Sequence, residues 1–597
     1  MPTATPVPTA TPSPTPIPTP TFSPVAFNDY TTFGYDNQRD VFNPNSVTLT
    51  PGSVANLHLA WQISMKDSFG GSDYNTQSQP ILATEIKGHQ GVLYAGGGSG
   101  IVDAYDATTG ATIWSYPTGQ MTYTCGSNGT SYFGVGGSAA YDPNTASLYI
   151  IGSKNASLGT DGTNTLFHID GTTGALDGSV NFATPNPVMP SEVDFSHTSV
   201  TLSNGTAYVG TSASCDTSSW RGRVAAVSVP SMTLANTYFT VWNSTTQPWG
   251  GGGVWGWGGV SLDGSGNVYT GVGNTDDGET EHGTIQAPFS PAPEEYSGNG
   301  DAFIKLSSDI STLEDSAHPI PTGAYNSGMS KDLDLNGTPA IFTPNGVGCD
   351  PLAAVQGKSG SMYLFDTTNL AQGPLTSYPL APSSYDDGFL GGPTYSPATG
   401  LLYVNVTSTN NSMLPPGMIA IDPGCTTTGA PSVAWTSQFG PDSYPYGLPR
   451  SVPSVSAGGV IFVASPCMPS GNSCASTTTT YGKKRARGPV HQICCAPPTG
   501  GAEGGALWMI DASTGNVLNG GLPLLFTDGP PRAPPTIDGD WVFVLDYSGN
   551  LYGLTTDASY APIQSQARPV SPKMLHGWDD NPFAHRQAGS PARRAGP

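Results

Sequence analysis

LYAGGGSGIVDAYDATTGATIW, residues 93–114, carries the fold in one short stretch. A run of β-branched and aromatic residues meets a Gly-rich turn, a second such run follows, and the stretch ends in D-x-x-T-G before a further strand-like segment. The chemistry is local. The Asp side chain accepts backbone N–H groups across the turn, and Gly supplies the positive φ at which the chain reverses. The same pattern returns in LFHIDGTTGAL (166–176) and ALWMIDASTGNVL (506–518). One D-x-x-T-G is only a turn, but three in the same strand context are a repeat.

Degenerate copies lie between them. Ser228, Ser307, Asp366, Asp422 and Thr555 occupy the Asp position in five further segments, joining Asp106, Asp170 and Asp511. Neighbouring positions are separated by 44 to 89 residues, most by 56 to 64. Eight such units predict an all-β, eight-bladed propeller with four short strands per blade. The longest intervals place insertions around 274–296 and 466–501. After LYGLTTD (551–557) no further strand pattern appears, whereas LHLAWQIS (57–64) stands alone before the first unit. This orphan strand is expected to complete the last blade and remove an open sheet edge.

Composition agrees. Of 597 residues, 77 are Gly and 56 Pro, and only 11% are charged, so long helices are poorly served. No apolar run is long enough for a transmembrane helix. A formal net charge of −23 argues against a nucleic-acid partner. Residues 1–24, with nine prolines and no charge, read as an extended, disordered Pro/Thr-rich spacer; 25–561 as the propeller; and 562–597 as a disordered basic tail. A spacer of this kind suits a secreted or cell-surface protein, and the expected state is a monomer. Of the eight cysteines, Cys467–Cys474 is the best local disulfide candidate, with a vicinal Cys494–Cys495 bridge or two free thiols as alternatives. No C-x-x-C-H motif occurs, so no haem is expected. The acidic stretch 274–283 and the basic KKRAR (483–487) read as solvated loops.

The repeats, together with the opening FGYDNQRDVFNPNSVTLTPGSVANLHLAWQI, resemble the quinoprotein-like propellers, which include pyrroloquinoline-quinone (PQQ) dependent alcohol dehydrogenases and non-catalytic PQQ-repeat relatives. The resemblance covers roughly 33–557. It implies a cofactor funnel at the ring centre, floored by a Trp, with Ca²⁺ held by carboxylate and Asn, an Asp base and a cation at the quinone oxygens. VWGWGG resembles the floor segment and points to Trp257, or Trp255, for cofactor binding. NVYTGVGN points to Asn274 as a calcium ligand. KDLDLNGTPAIF makes Asp332 the match for the catalytic base and a further calcium ligand, with Asp334 the second Asp, read as a solvated loop residue. AVQGKSGSMYLFD makes Lys358 the quinone-contacting cation. The chain departs from the dehydrogenases at VGTSASCDTSSWRGRV, where the expected Glu is missing and Asp216 is the nearest carboxylate. The adjacent-cysteine pair of the dehydrogenases is missing from the early units. These departures bring the chain closer to secreted PQQ-repeat proteins without established activity. The leading expectation is therefore a binding or scaffold propeller with a degenerate central site, taking a surface or small-molecule ligand. The alternative is a PQQ- and Ca²⁺-dependent dehydrogenase of alcohols or sugars.

Overall fold

The structure is a computed structural model, and it describes residues 26–65, 78–124, 130–153, 164–183, 196–212, 222–241, 250–273, 275–276, 299–319, 334–335, 337–380, 392–406, 414, 417–425, 429–439, 451–467 and 504–563. Eight blades of four antiparallel strands each surround one axis. Their innermost strands are Ile81–Ala83, Ala140–Asp142, Thr201–Ser203, Ser261–Leu262, Ala340–Phe342, Thr394–Ser396, Ser454–Ser456 and Thr536–Asp538, numbered here as blades 1 to 8. The predicted repeat positions all fall at the same place. Asp106, Asp170, Ser228, Asp366, Asp422, Asp511 and Thr555 end the third strand of their blades, and Ser307 directly follows the third strand of blade 4.

The D-x-x-T-G turns behave as the sequence predicts. Asp106 Oδ1 accepts the backbone N–H groups of Thr108 and Thr109, and Asp170 and Asp511 repeat the arrangement. Gly110, Gly174 and Gly515 then adopt φ near +70°. Each also lies under an indole of the preceding blade. A Cβ on Gly110 would come within 2.7 Å of Trp61, on Gly174 within 2.7 Å of Trp114, and on Gly515 within 2.6 Å of Trp435. The three indole N–H groups donate to the carbonyls of Ala107, Gly171 and Ala512. The repeat glycine therefore serves both the turn and the blade-to-blade contact.

The core is a ring. Among the described residues, eight apolar clusters occupy the eight blade–blade interfaces. Near the axis, small hydroxyl side chains join successive blades. Thr201, Ser261, Thr394 and Ser454 donate to the carbonyls of Val260, Pro339, Pro453 and Pro535 at 2.5–2.8 Å. Thr536 of blade 8 donates to Pro80 O beside blade 1 and so spans the seam. His58–Ser64 closes the same seam from outside, pairing antiparallel with Asn550–Thr555 as the fourth strand of blade 8. The orphan N-terminal strand thus closes the ring as expected.

A second closure comes from residues 28–43, which make one full lap around the axis. Asn28 starts it by donating to Asp538 of blade 8. Tyr30 then pairs with Leu82 of blade 1, and Thr31 O accepts from Tyr141 of blade 2. Asn37 holds Leu202 of blade 3 and Leu262 of blade 4, and Gln38 O accepts from Ile341 of blade 5. Asp40 O accepts from Tyr395 of blade 6, and Val41 O from Val455 of blade 7. Asn43 returns to Ile537 and Asp538 of blade 8. Arg39, 1% exposed, braces this lap by donating to Thr32, Phe33 O, Val200 O and Thr201. The flanks of the lap reach Thr84, Gly458 and Gly539, in turns that follow innermost strands. One end of the axial channel is therefore filled.

Cys349 and Cys425 form a disulfide between blades 5 and 6 that the spacing of cysteines did not reveal. Cys474, Cys494 and Cys495, the spacer 1–24, the tail from 564 onward and KKRAR lie outside the described residues. No helix among the described residues is long and apolar enough to cross a membrane.

Trp61 sits at the seam, wedged against Gly110 and Gly553. Trp61→Ala is expected to destabilise the ring by about 3–5 kcal/mol. Urea denaturation should show a larger loss than for Trp435→Ala, whose indole is more exposed and lies away from the seam.

Candidate functional site

The end of the axis opposite the lap is reached by the linkers that lead into the innermost strands and by the turns between second and third strands, of which only part is among the described residues. Lys358 lies in such a turn, between Leu352–Gly357 and Ser361–Asp366 of blade 5. Asp334 lies in the linker before blade 5, and its carbonyl accepts the Lys358 N–H at 2.8 Å. The side chains also meet: Lys358 Nζ is 2.8 Å from Asp334 Oδ2, with the two side chains 15% and 1% exposed. Asp334 is therefore no solvated loop residue. Its backbone pairing to the 357–358 turn draws the carboxylate inward onto the ammonium. Desolvating such a pair costs several kcal/mol per ion before attraction offsets it. A buried pair here is weak evidence for stability and good reason to look for a ligand.

Trp255 and Trp257 separate sharply. Trp257 is fully buried with Phe33, Val41 and Val452, so it packs on the lap that fills the opposite end. Trp255 is only partly buried, and its ring lies 6.0 Å from Lys358 Nζ. Gly256–Gly259, closed by a Gly259 N–H to Gly256 O bond at 2.8 Å, breaks the strand alternation that would point both indoles the same way. Of the two tryptophans in W-G-W, Trp255 faces the ion pair.

Gly273 joins these parts. A Cβ there would come within 2.6 Å of Asp334 Oδ1 and 2.8 Å of Trp255 Nε1; at Gly253 it would come within 2.4 Å of Trp255 Nε1. The absence of a side chain at these two glycines lets the indole edge and the Asp334 carboxylate pack directly on the backbone. Asn274 follows Gly273 directly but lies outside the described residues, as do Asp216 and Asp332. No group of three or more His, Cys, Asp or Glu able to hold a metal occurs among the described residues.

No sequence motif points to His197. It is fully buried in the linker before blade 3, with its ring 5.6 Å from Trp255 at an interplanar angle of 36°. Burial pushes its pKa down to about 3. In the unfolded chain the imidazole takes up a proton near pH 6.5, so the folded state loses ground as pH falls from about 6.5 toward 3, and the full contribution is present above 6.5. Buried Asp538 and Asp546, raised to about 6, act in the opposite sense between pH 6 and 4. Comparison with His197→Phe cancels their effect. Between pH 7 and 4.5, urea midpoints should show the wild type losing about 2 kcal/mol more stability than this variant.

Residues 30–214, from the lap through the second strand of blade 3, match the family model for the glucose/ethanol/alcohol dehydrogenase β-propeller domain (PQQ). No curated protein matches the chain. The structure is similar to quinohemoprotein alcohol dehydrogenase ADHIIG from Pseudomonas putida HK5, with TM-score 0.57 and 14% identity over 91% of this chain and 82% of that one. It is similar to quinohemoprotein alcohol dehydrogenase from Comamonas testosteroni at TM-score 0.56 and 15% identity, covering 90% and 82%. A europium-containing methanol dehydrogenase gives TM-score 0.55 and 14% identity, covering 88% and 98%. The closed ring and these folds make the chain an eight-bladed β-propeller, of which residues 30–214 match the PQQ dehydrogenase propeller-domain model.

Proposed function

We propose that the propeller binds PQQ at the end of its axis opposite the lap and oxidises alcohols or sugars with Ca²⁺. The observation that carries this reading is the meeting of Lys358, Asp334 and Trp255, packed closely on Gly253 and Gly273. The residues suit a flat, oxygen-rich anion: an aromatic wall and a cation beside it. The names of the similar structures, alcohol and methanol dehydrogenases, agree with it.

PQQ, when bound, supplies the two-electron acceptor, with Ca²⁺ polarising its carbonyl. Trp255 would give the ring a face to lie on, and Lys358 would donate to its oxygens. Asp334 holds the ammonium in place. Asp332 takes the substrate hydroxyl proton as general base. Asn274, Asp216 and Asp332 hold the calcium ion, on the strength of the sequence resemblance. The Cys349–Cys425 bridge supports an oxidising, extracytoplasmic location, with residues 1–24 as spacer for a secreted or surface-held monomer.

A second reading, a binding or scaffold propeller with a degenerate centre, is favoured by one feature: the dehydrogenase Glu is replaced near Cys215–Asp216. One experiment separates the two. Purified protein is titrated with PQQ and Ca²⁺, following tryptophan fluorescence and dye-linked alcohol oxidation. Saturable quenching with turnover is expected. Lys358→Ala should weaken binding about tenfold or more, and Asp332→Ala should abolish turnover while keeping the quench. Quenching without turnover in the wild type favours the second reading, and no saturable quench overturns PQQ binding.

A further inference from the structure

His197 lies outside every motif that suggested the site, yet its surroundings tie it to Trp255. The backbone on both sides of it is clamped. Ser196 Oγ and Thr198 Oγ1 both donate to Gly210 O, at 2.7 and 3.2 Å, and Gly210 N–H donates back to Thr198 Oγ1 at 3.0 Å. Ser199 donates through both its N–H and its Oγ to Trp257 O, two residues from Trp255. The linkers into blades 3 and 4 are thus bolted together where the imidazole meets the indole. Gly253 and Gly273 confine the indole at its Nε1 edge, and Lys358 Nζ lies 6.0 Å from its ring. The imidazole ring, wholly buried, supplies a further contact of that indole.

We propose that His197 is a positioning residue: its ring acts as an uncharged wedge that sets the tilt of Trp255 and so fixes the aromatic wall of the funnel. The quinone consequence rests on the PQQ reading above; the wedge itself does not. A flat ring suits the task because an aliphatic side chain of similar volume leaves the indole free to rock. Keeping that ring neutral also avoids a second cation beside the indole that Lys358 already approaches.

The test compares wild type, His197→Ala, His197→Phe and Trp255→Phe. The near-UV circular dichroism and acrylamide quenching that Trp255→Phe removes define the Trp255 signal. In His197→Ala that signal should change, with its acrylamide quenching rising about twofold or more, and PQQ affinity should fall about tenfold. His197→Phe should restore both. If the Ala variant does not fold, His197→Leu, which keeps volume without a flat ring, carries the same comparison and should behave as Ala. An unchanged Trp255 signal in a folded Ala or Leu variant overturns the wedge, and so does failure of a folded His197→Phe to restore it. If wild type takes up no PQQ, the functional reading fails while the Trp255 signal still decides the role of His197.

Discussion

A ring of eight blades must be held shut against the freedom of a long chain, and everything at its centre depends on how the seam between blades 8 and 1 is closed. Three devices meet there. The strand His58–Ser64 completes the last sheet, Thr536 bonds across to Pro80 O, and Trp61 docks on the first repeat turn. The lap of residues 28–43 adds a constraint of another kind, because it starts and finishes on Asp538 and touches every blade between. It accepts positive φ at Tyr35, Arg39 and Val41 to do so, a strain of about 1–3 kcal/mol each. Its bonds to eight innermost strands offset that strain.

The lap also gives the channel its polarity. Phe33 and Val41 bring an apolar surface up to Trp257, which forms a layer between the filled end and the ion pair. Charge is buried on both sides of this layer. Below it, burial lowers Arg39 to about 9 and raises Asp36 and Asp40, with Arg39 bonded to neutral acceptors. Above it, Lys358 and Asp334 face each other beside a partly exposed indole. The lower group has a structural task that accounts for its cost. The upper pair lies beside the indole of Trp255, which suits it to a flat anionic ligand.

Most of the architecture was legible in the sequence because its signals are local. An Asp that caps its own turn and a Gly that must reverse the chain leave the same mark in any blade, and even Ser228 and Thr555 keep the position when the Asp is lost. The orphan strand around Trp61 could be read because an unclosed edge has one obvious remedy. The lap could not, since DNQRD shows only polar residues whose partners lie up to several hundred positions away. The Cys349–Cys425 bridge was hidden for the same reason. At the site, W-G-W named two tryptophans, and only the Gly256–Gly259 turn decides that Trp255 faces the funnel. Motif matching favoured Asp332, whereas the backbone pairing of Asp334 to the Lys358 turn turned its neighbour inward. His197 carries no motif at all; it is placed by the hydroxyls of Ser196, Thr198 and Ser199.

On the reading proposed above, Trp255 and Lys358 build a quinone site at the end of the axis opposite the lap. A crystal structure of the protein grown with saturating PQQ and Ca²⁺ tests it most directly. The tricyclic ring is expected to lie against Trp255, with Lys358 Nζ within about 2.7–3.2 Å of a quinone oxygen. A funnel empty at saturation, or PQQ bound away from Trp255 and Lys358, would contradict it.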